Sequence, residues 1–512
     1  MLDSSGNNRL KTQIKGEINM KALQPYEFWF ITGSQHLYGT EVIQQVEEHS
    51  KIIAAALDED EAIPATLVFK QVVTTPSEIK RICEAANYDV NCIGLMTWCH
   101  TFSPSKMWIS GLNILNKPWL HLHTQFNETI PVNDIDMDFM NLNQAAHGDR
   151  EHGFIGSRLR KARKVIVGYW EDQVVREKIG DWMRSAVGAS VSRSLKVVRF
   201  GDNMRQVAVT EGDKVEAEIK LGWSVNTHGV GDLVTQMKEV SEEEINALVD
   251  DYLKRYDVKS QRLEQIRHQA HIQLGMKRLL EAEQAKAFTT TFEDLYGLEQ
   301  LPGLACQDLM AQGYGFGGEG DWKVSAMTHI MKEMARGINK GTSFMEDYTY
   351  DLTKGNELVL GAHMLEVCPT VAKDLPRIEV HPLGIGGKSD PARLVFNGKA
   401  GSAIVASLVD MGGRLRLIVN DIECVTPFEM PNLPVASLMW KPAPNFHTSA
   451  EAWILAGAAH HSVLSFDLKA THMRDWAEMM EIEFIHIHEQ TTIEQLKQDL
   501  FLADIAWKLK SC

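Results

Sequence analysis

From residue 26 onward the chain alternates strand and helix signals, and that alternation restricts its fold more than any single motif does. Residues 26–32 read as a buried strand, 40–57 as an amphipathic helix, 66–73 as a strand and 76–86 as a helix. The same pattern continues through a strand at 90–97, a helix at 106–115 and a strand at 119–124. Strands that are each followed by a crossover helix pair in parallel, and a parallel sheet must be covered on both faces. A doubly wound α/β domain is therefore expected over residues 20–193, closing with a strand at 164–170 and a helix at 173–186. A fresh α/β unit opens with a strand at 194–200 and runs to 339; its charged stretch, 241–287, has helical spacing and the starting signal Ser241-Glu-Glu-Glu. From 340 to 512 the texture changes to short β-type runs at 392–396, 402–409 and 414–420, separated by Asn-Gly and Gly-Gly turns, with helical patterns at 449–459 and 492–508. The expected architecture is two doubly wound α/β domains followed by a mixed, antiparallel-β-rich C-terminal domain. Residues 1–19 are polar and patternless ahead of Met20, and read as a disordered leader or a misassigned start.

At 512 residues the chain exceeds the size of one hydrophobic core, in line with several domains. Its 68 acidic against 52 basic residues give a formal charge of -16, and no Lys/Arg run forms a phosphate-binding stripe, so nucleic acid is not an expected partner. Apolar stretches are broken before they reach membrane-spanning length, so no membrane partner is expected either. The cysteines at 83, 92, 99, 306, 368, 424 and 512 contain no Cys-x-x-Cys pair, which fits a reducing cytoplasm.

The most distinctive segment is Gly313-Tyr-Gly-Phe-Gly-Gly-Glu319-Gly-Asp-Trp322, an acid set among five glycines before a helical pattern. Glycines let a backbone approach a small ligand closely. No Walker lysine follows, and Glu319 would repel a phosphate, so a nucleotide loop is disfavoured; the plainer alternative is a tight connection before a helix capped by Asp321. A second acid, Glu346, follows in Phe344-Met-Glu-Asp-Tyr, and then come Gly361-Ala-His363-Met-Leu-Glu366 and His460-His461. Either histidine site, taken alone, reads as a core residue bonded to the backbone rather than as a ligand. Together, two acids and two imidazoles form a coordination set that favours Mn²⁺, with Co²⁺, Fe²⁺ or Zn²⁺ as alternatives. The loop Thr32-Gly-Ser-Gln35-His36-Leu-Tyr38-Gly39 follows the first strand, where α/β sheets bind ligands, and offers polar contacts. His121 and His123 share a strand face and are expected to pack or bond locally.

These segments, with Leu301-Pro-Gly-Leu-Ala, Thr342-Ser-Phe-Met-Glu-Asp-Tyr-Thr-Tyr, Leu383-Gly-Ile-Gly-Gly-Lys and Glu451-Ala-Trp-Ile-Leu-Ala-Gly, make the chain from Tyr26 to its C-terminus resemble the L-arabinose isomerase family. Ala458, where the family pattern has Gly, is a departure away from the proposed chemistry. The resemblance implies one Mn²⁺ per subunit held by Glu319, Glu346, His363 and His461, with Glu319 and Glu346 as the catalytic acid–base pair. It further implies a sugar pocket lined by Gln35, Leu37, Tyr38, Phe102, His147, Met204, Phe292 and Ile385, with His147 supplied by a neighbouring subunit of a homohexamer. The implied reaction converts L-arabinose to L-ribulose through a cis-enediol, with D-galactose to D-tagatose as a second conversion. Competing expectations are a related deoxysugar isomerase, a metal aldolase, or a non-catalytic sugar-binding protein, the last of which has no need of both glutamates.

Overall fold

The computed structural model describes residues 21–510, so the expected leader over 1–19 lies outside the described residues. Contacts divide the chain into two compact units, one comprising residues up to 161 together with 165–183, the other 162–164 together with 184 onward.

The first unit is built on β1 (Glu27–Gly33), β2 (Thr66–Val73), β3 (Cys92–Cys99), β4 (Trp119–His123) and β5 (Lys164–Val167), in the sheet order β2-β1-β3-β4-β5. The β1–β2, β1–β3 and β3–β4 pairs are parallel, and every residue of β3 is buried, as a central strand covered on both faces requires. The helix Pro76–Tyr88 starts on a capping box in which the Thr75 hydroxyl accepts from the Glu78 N–H and the Glu78 carboxylate accepts from the Thr75 N–H. The direction of strand addition reverses between β1 and β3, which opens a crevice at their carboxyl ends.

The second unit begins with β6 (Lys196–Phe200) and β7 (Ser224–His228). The stretch at 241–287 is helical as its spacing indicates, but it divides into Glu242–Arg255 and Leu263–Ala282 around a short strand, β8 (Asp257–Val258). Ser241 and Glu244 form the expected capping box at its start. The interruption has a tertiary cause: the N–H groups of Asp257 and Lys259 donate to Pro376 and Ile378, because a later strand at Arg377–Val380 pairs with this segment. Two further strands, β9 (Ala287–Thr290) and β10 (Gly315–Gly317), complete a parallel sheet of order β10-β9-β6-β7.

The remaining strands are β11 (Thr342–Asp351), β12 (Leu358–Ala362), β13 (Arg377–Val380), β14 (Ala392–Val395), β15 (Gly401–Asp410), β16 (Leu415–Val425), β17 (Ser437–Pro442), β18 (His461–Ser465) and β19 (Glu483–Ile487). Six of them run antiparallel in the order β15-β18-β11-β12-β17-β16, and β16 pairs back with β15, closing a barrel that β19 extends in parallel. This bears out the antiparallel reading of the C-terminal region. The helix Trp322–Met334 is buried at nearly every position because it packs on β6, β9 and β10 and also on β11, β15 and β18. That double packing buries its polar residues Lys323, Ser325, Thr328 and His329 together with its apolar ones. It also brings the glycine-rich loop at its start up to the barrel strands.

Candidate metal centre

The antiparallel ladders of the barrel place the candidate ligands side by side. Glu346 on β11 is directly opposite His461 on β18 and, on its other side, opposite Ala362, the last residue of β12. His363 follows Ala362 at once. Glu319 arrives from the loop between β10 and the buried helix, where its backbone takes a left-handed φ of 58° and Asp321 caps the helix by accepting from the Lys323 and Val324 N–H groups. The expected capping role of Asp321 is therefore present, and the same loop carries the candidate ligand Glu319.

The Nε2 atom of His461 lies 3.9 Å from a Glu319 oxygen, and Nε2 of His363 lies 3.9 Å from a Glu346 oxygen. Both Nε2 atoms are buried without a hydrogen-bond partner. Leaving two imidazole nitrogens orphaned beside carboxylates is costly unless something binds there. The other ring nitrogens are engaged: His363 Nδ1 donates to Glu366 at 2.5 Å, and His461 Nδ1 donates to Asp321 at 3.3 Å. When the rings are neutral, each outer carboxylate fixes the tautomer that leaves an Nε2 lone pair facing the acids, an arrangement typical of metal-bound histidine. Phe344 packs edge-on against both rings, with centroids 5.0 Å from His363 and 5.1 Å from His461.

His460, just before β18, also turns toward Glu319, at 3.5 Å. Among the described residues, Glu319, His460 and His461 bring one donor atom each to within 4.8 Å of one another. The adjacent histidines thus both face the glutamate, His461 from full burial and His460 from a partly open position. A mixed oxygen and imidazole donor set of this kind suits a divalent first-row cation.

Charge is concentrated here. The hydrogen bond with His460 holds the Glu319 carboxyl below its ordinary range, against burial that raises it, while the His461 and His363 rings add to the lowering. Burial depresses the His363 imidazole, yet Glu366 and then Glu346 and Glu319 outweigh it and push His363 up to about 9. His461 moves the other way, lowered by burial despite Asp321. Behind Asp321 stands Lys323, fully buried, its ammonium 3.3 Å from the carboxylate and donating to the Thr210 and Glu211 carbonyls.

The structure distributes the remaining expected pocket residues between its two units. Gln35, Leu37 and Tyr38 follow β1 and Phe102 follows β3, at the crevice where strand order reverses; the Tyr38 hydroxyl donates to Gln144, and the His147 ring lies 4.6 Å from Phe102. In the second unit the Met204 N–H donates to the Glu319 carbonyl at 2.9 Å, and Phe292 lines a small cavity of about 20 Å³ with Glu319 and His363. Ile385 is exposed on the loop between β13 and β14. His123 bonds the buried Asp149 carboxylate at 2.9 Å, and His121 packs beside the same carboxylate with its Nε2 2.9 Å away. Sequence reasoning did not assign Glu366, Asp321 or Lys323 to the centre. The only signal was proximity, Glu366 three residues after His363 and Asp321 two after Glu319.

A parallel α/β sheet abutting a closed barrel, with imidazoles and carboxylates converging at the junction, defines a metal-dependent enzyme. Sequence profiles for the L-arabinose isomerase N-terminal, central and C-terminal domains match residues 22–194, 196–337 and 341–483. The chain is 60% identical over 496 residues to the L-arabinose isomerase of Geobacillus stearothermophilus, covering 96% of this chain and 100% of that one. It is 55% identical over 491 residues to the L-arabinose isomerase of Thermotoga neapolitana, covering 95% and 99%. The chain belongs to the L-arabinose isomerase family, and it is an isomerase. The reading as a non-catalytic sugar-binding protein is thereby set aside. No helix among the described residues is long and apolar enough to cross a membrane, and the described cysteines are all buried and free.

Proposed function

We propose that the chain interconverts L-arabinose and L-ribulose in arabinose catabolism, and D-galactose and D-tagatose at the same centre. The observation that carries this reading is the pair of buried, unpartnered Nε2 atoms of His363 and His461 beside Glu346 and Glu319. In this reading one Mn²⁺ per subunit is held by Glu319, Glu346, His363 and His461. A divalent cation held there would supply charge stabilisation for the oxyanion that develops during isomerisation.

The side chains do the proton work. Isomerisation moves one proton between C1 and C2 and another between the two oxygens, through a cis-enediol. Glu319 and Glu346 approach from different elements, so one carboxylate takes the carbon-bound proton while the other carries the hydroxyl proton. Glu366 and Asp321 keep the His363 and His461 rings oriented throughout, and Phe344 excludes water from behind them. The family resemblance supports Met204, Phe292 and Ile385 in the second unit, and Gln35, Leu37, Tyr38 and Phe102 in the first, as sugar contacts, with His147 supplied to a neighbouring subunit of a cytoplasmic homohexamer.

The test is product analysis with L-arabinose before chelation, after chelation, and after return of Mn²⁺. L-Ribulose that disappears and reappears with the metal is the expected result. Carbon–carbon cleavage products, or turnover indifferent to chelation, overturn the proposal.

A further inference from the structure

The backbone of Glu319 is held from outside the centre. Glu319 and Gly320 take left-handed φ values of 58° and 80°, conformations that a glutamate adopts only when its surroundings impose them. Both of their carbonyls are gripped by one short segment. The Met204 N–H donates to the Glu319 carbonyl at 2.9 Å, and the Asn203 side-chain amide donates to the Gly320 carbonyl at 3.2 Å and to the Thr210 carbonyl at 2.7 Å. Asn203 is itself buried, and its amide oxygen accepts from Arg199 at 2.5 Å. Arg199, also buried at the end of β6, bonds Asp202 and the Thr227 hydroxyl. The contact is flush: a Cβ added at Gly320 would lie 2.5 Å from the Asn203 Cα. Lys323 closes the clamp from the helix side by donating to the same Thr210 carbonyl.

We infer that Asn203 is a positioning residue for the isomerisation: oriented by Arg199, its amide holds the Glu319–Gly320 turn in the left-handed conformation that aims the Glu319 carboxylate at His460 and His461. Asn203 needs both its faces for this. The oxygen takes the guanidinium while the two N–H bonds serve the two carbonyls, so a carboxylate or a small side chain does only part of the work. The inference rests on the reading of Glu319 as a metal ligand.

The experiment titrates Mn²⁺ into the intact protein, following free Mn²⁺ by electron paramagnetic resonance, for the unaltered chain, Asn203→Ala and Asn203→Asp. Melting temperatures are recorded without added metal. The aspartate keeps the size and the Arg199 contact while losing the donors, so it reports even if the alanine variant fails to fold. Both folded variants are expected to bind Mn²⁺ about tenfold to a hundredfold more weakly. A variant that melts earlier but retains unaltered Mn²⁺ affinity has lost only structural support, and that result overturns the inference. Absence of Mn²⁺ binding by the unaltered protein overturns the reading of Glu319 instead, and is recognised before any variant is made.

Discussion

Glu346 and His461 oppose each other directly across the β11–β18 ladder, and the residue opposing Glu346 on its other side, Ala362, hands the chain to His363. Three candidate donors therefore owe their proximity to hydrogen-bond register. A slip of one residue would turn Glu346 to the other face of the barrel wall.

Glu319→Gln and Glu346→Gln are each expected to keep the fold and lose isomerisation by several orders of magnitude. Glutamine has the shape of glutamate but can neither accept a proton at neutral pH nor offer a charged ligand. Steady-state kinetics beside circular dichroism check this; near-normal turnover in either variant would refute the assigned roles.

Chelation is expected to abolish turnover and lower the melting temperature, with Mn²⁺ restoring both. A ligand that binds only the folded state adds about 2.7 kcal/mol at a hundred times its Kd. Differential scanning fluorimetry across a Mn²⁺ series measures the shift, and a melting point indifferent to metal contradicts the donor set.

Glu366→Gln and Asp321→Asn remove the negative acceptors that fix the two imidazole tautomers. Each is expected to weaken metal binding by about 10- to 100-fold while all four proposed ligands remain. Isothermal titration with Mn²⁺ decides, and unchanged affinity would show that ring orientation does not depend on these carboxylates.

Asp308 provides a pH prediction away from the centre. It is fully buried and accepts from Arg255 at 2.6 Å, Tyr256 at 2.8 Å and Gln273 at 2.7 Å. Burial raises its pKa, but these donors, Arg255 first, bring it below the ordinary aspartate value. A depressed folded-state pKa means stability that is complete above the ordinary aspartate pKa and lost as pH falls through the folded value. Asp308→Asn is thus expected to cost about 1.5–3 kcal/mol at neutral pH, the range for charged hydrogen bonds, with the deficit shrinking in acid. Urea midpoints over a pH series test this, and a deficit that does not change with pH rejects it.

Several features are legible in the amino-acid sequence. The alternating pattern over 26–124 corresponds to β1 to β4 and their helices, because strand and helix periods follow from local geometry and burial. The capping box at Ser241 was readable for the same reason. The division of 241–287 was not, since its cause is pairing of Asp257–Val258 with Arg377–Val380. Glu366 and Asn203 are equally hidden, one three residues after His363 in the same segment and the other in a loop with no motif at all.

The amino-acid order by itself determined the layered α/β and antiparallel-β architecture and supplied the glutamates and histidines, as these depend on short-range periodicity and on side-chain chemistry. Only the tertiary structure decided that Glu346, His363 and His461 adjoin, that both His460 and His461 face Glu319, and that outer carboxylates orient the rings. Those relations arise from ladder register, a closed barrel and one helix buried on two sides. Each is a contact between distant segments whose energy no local stretch contains.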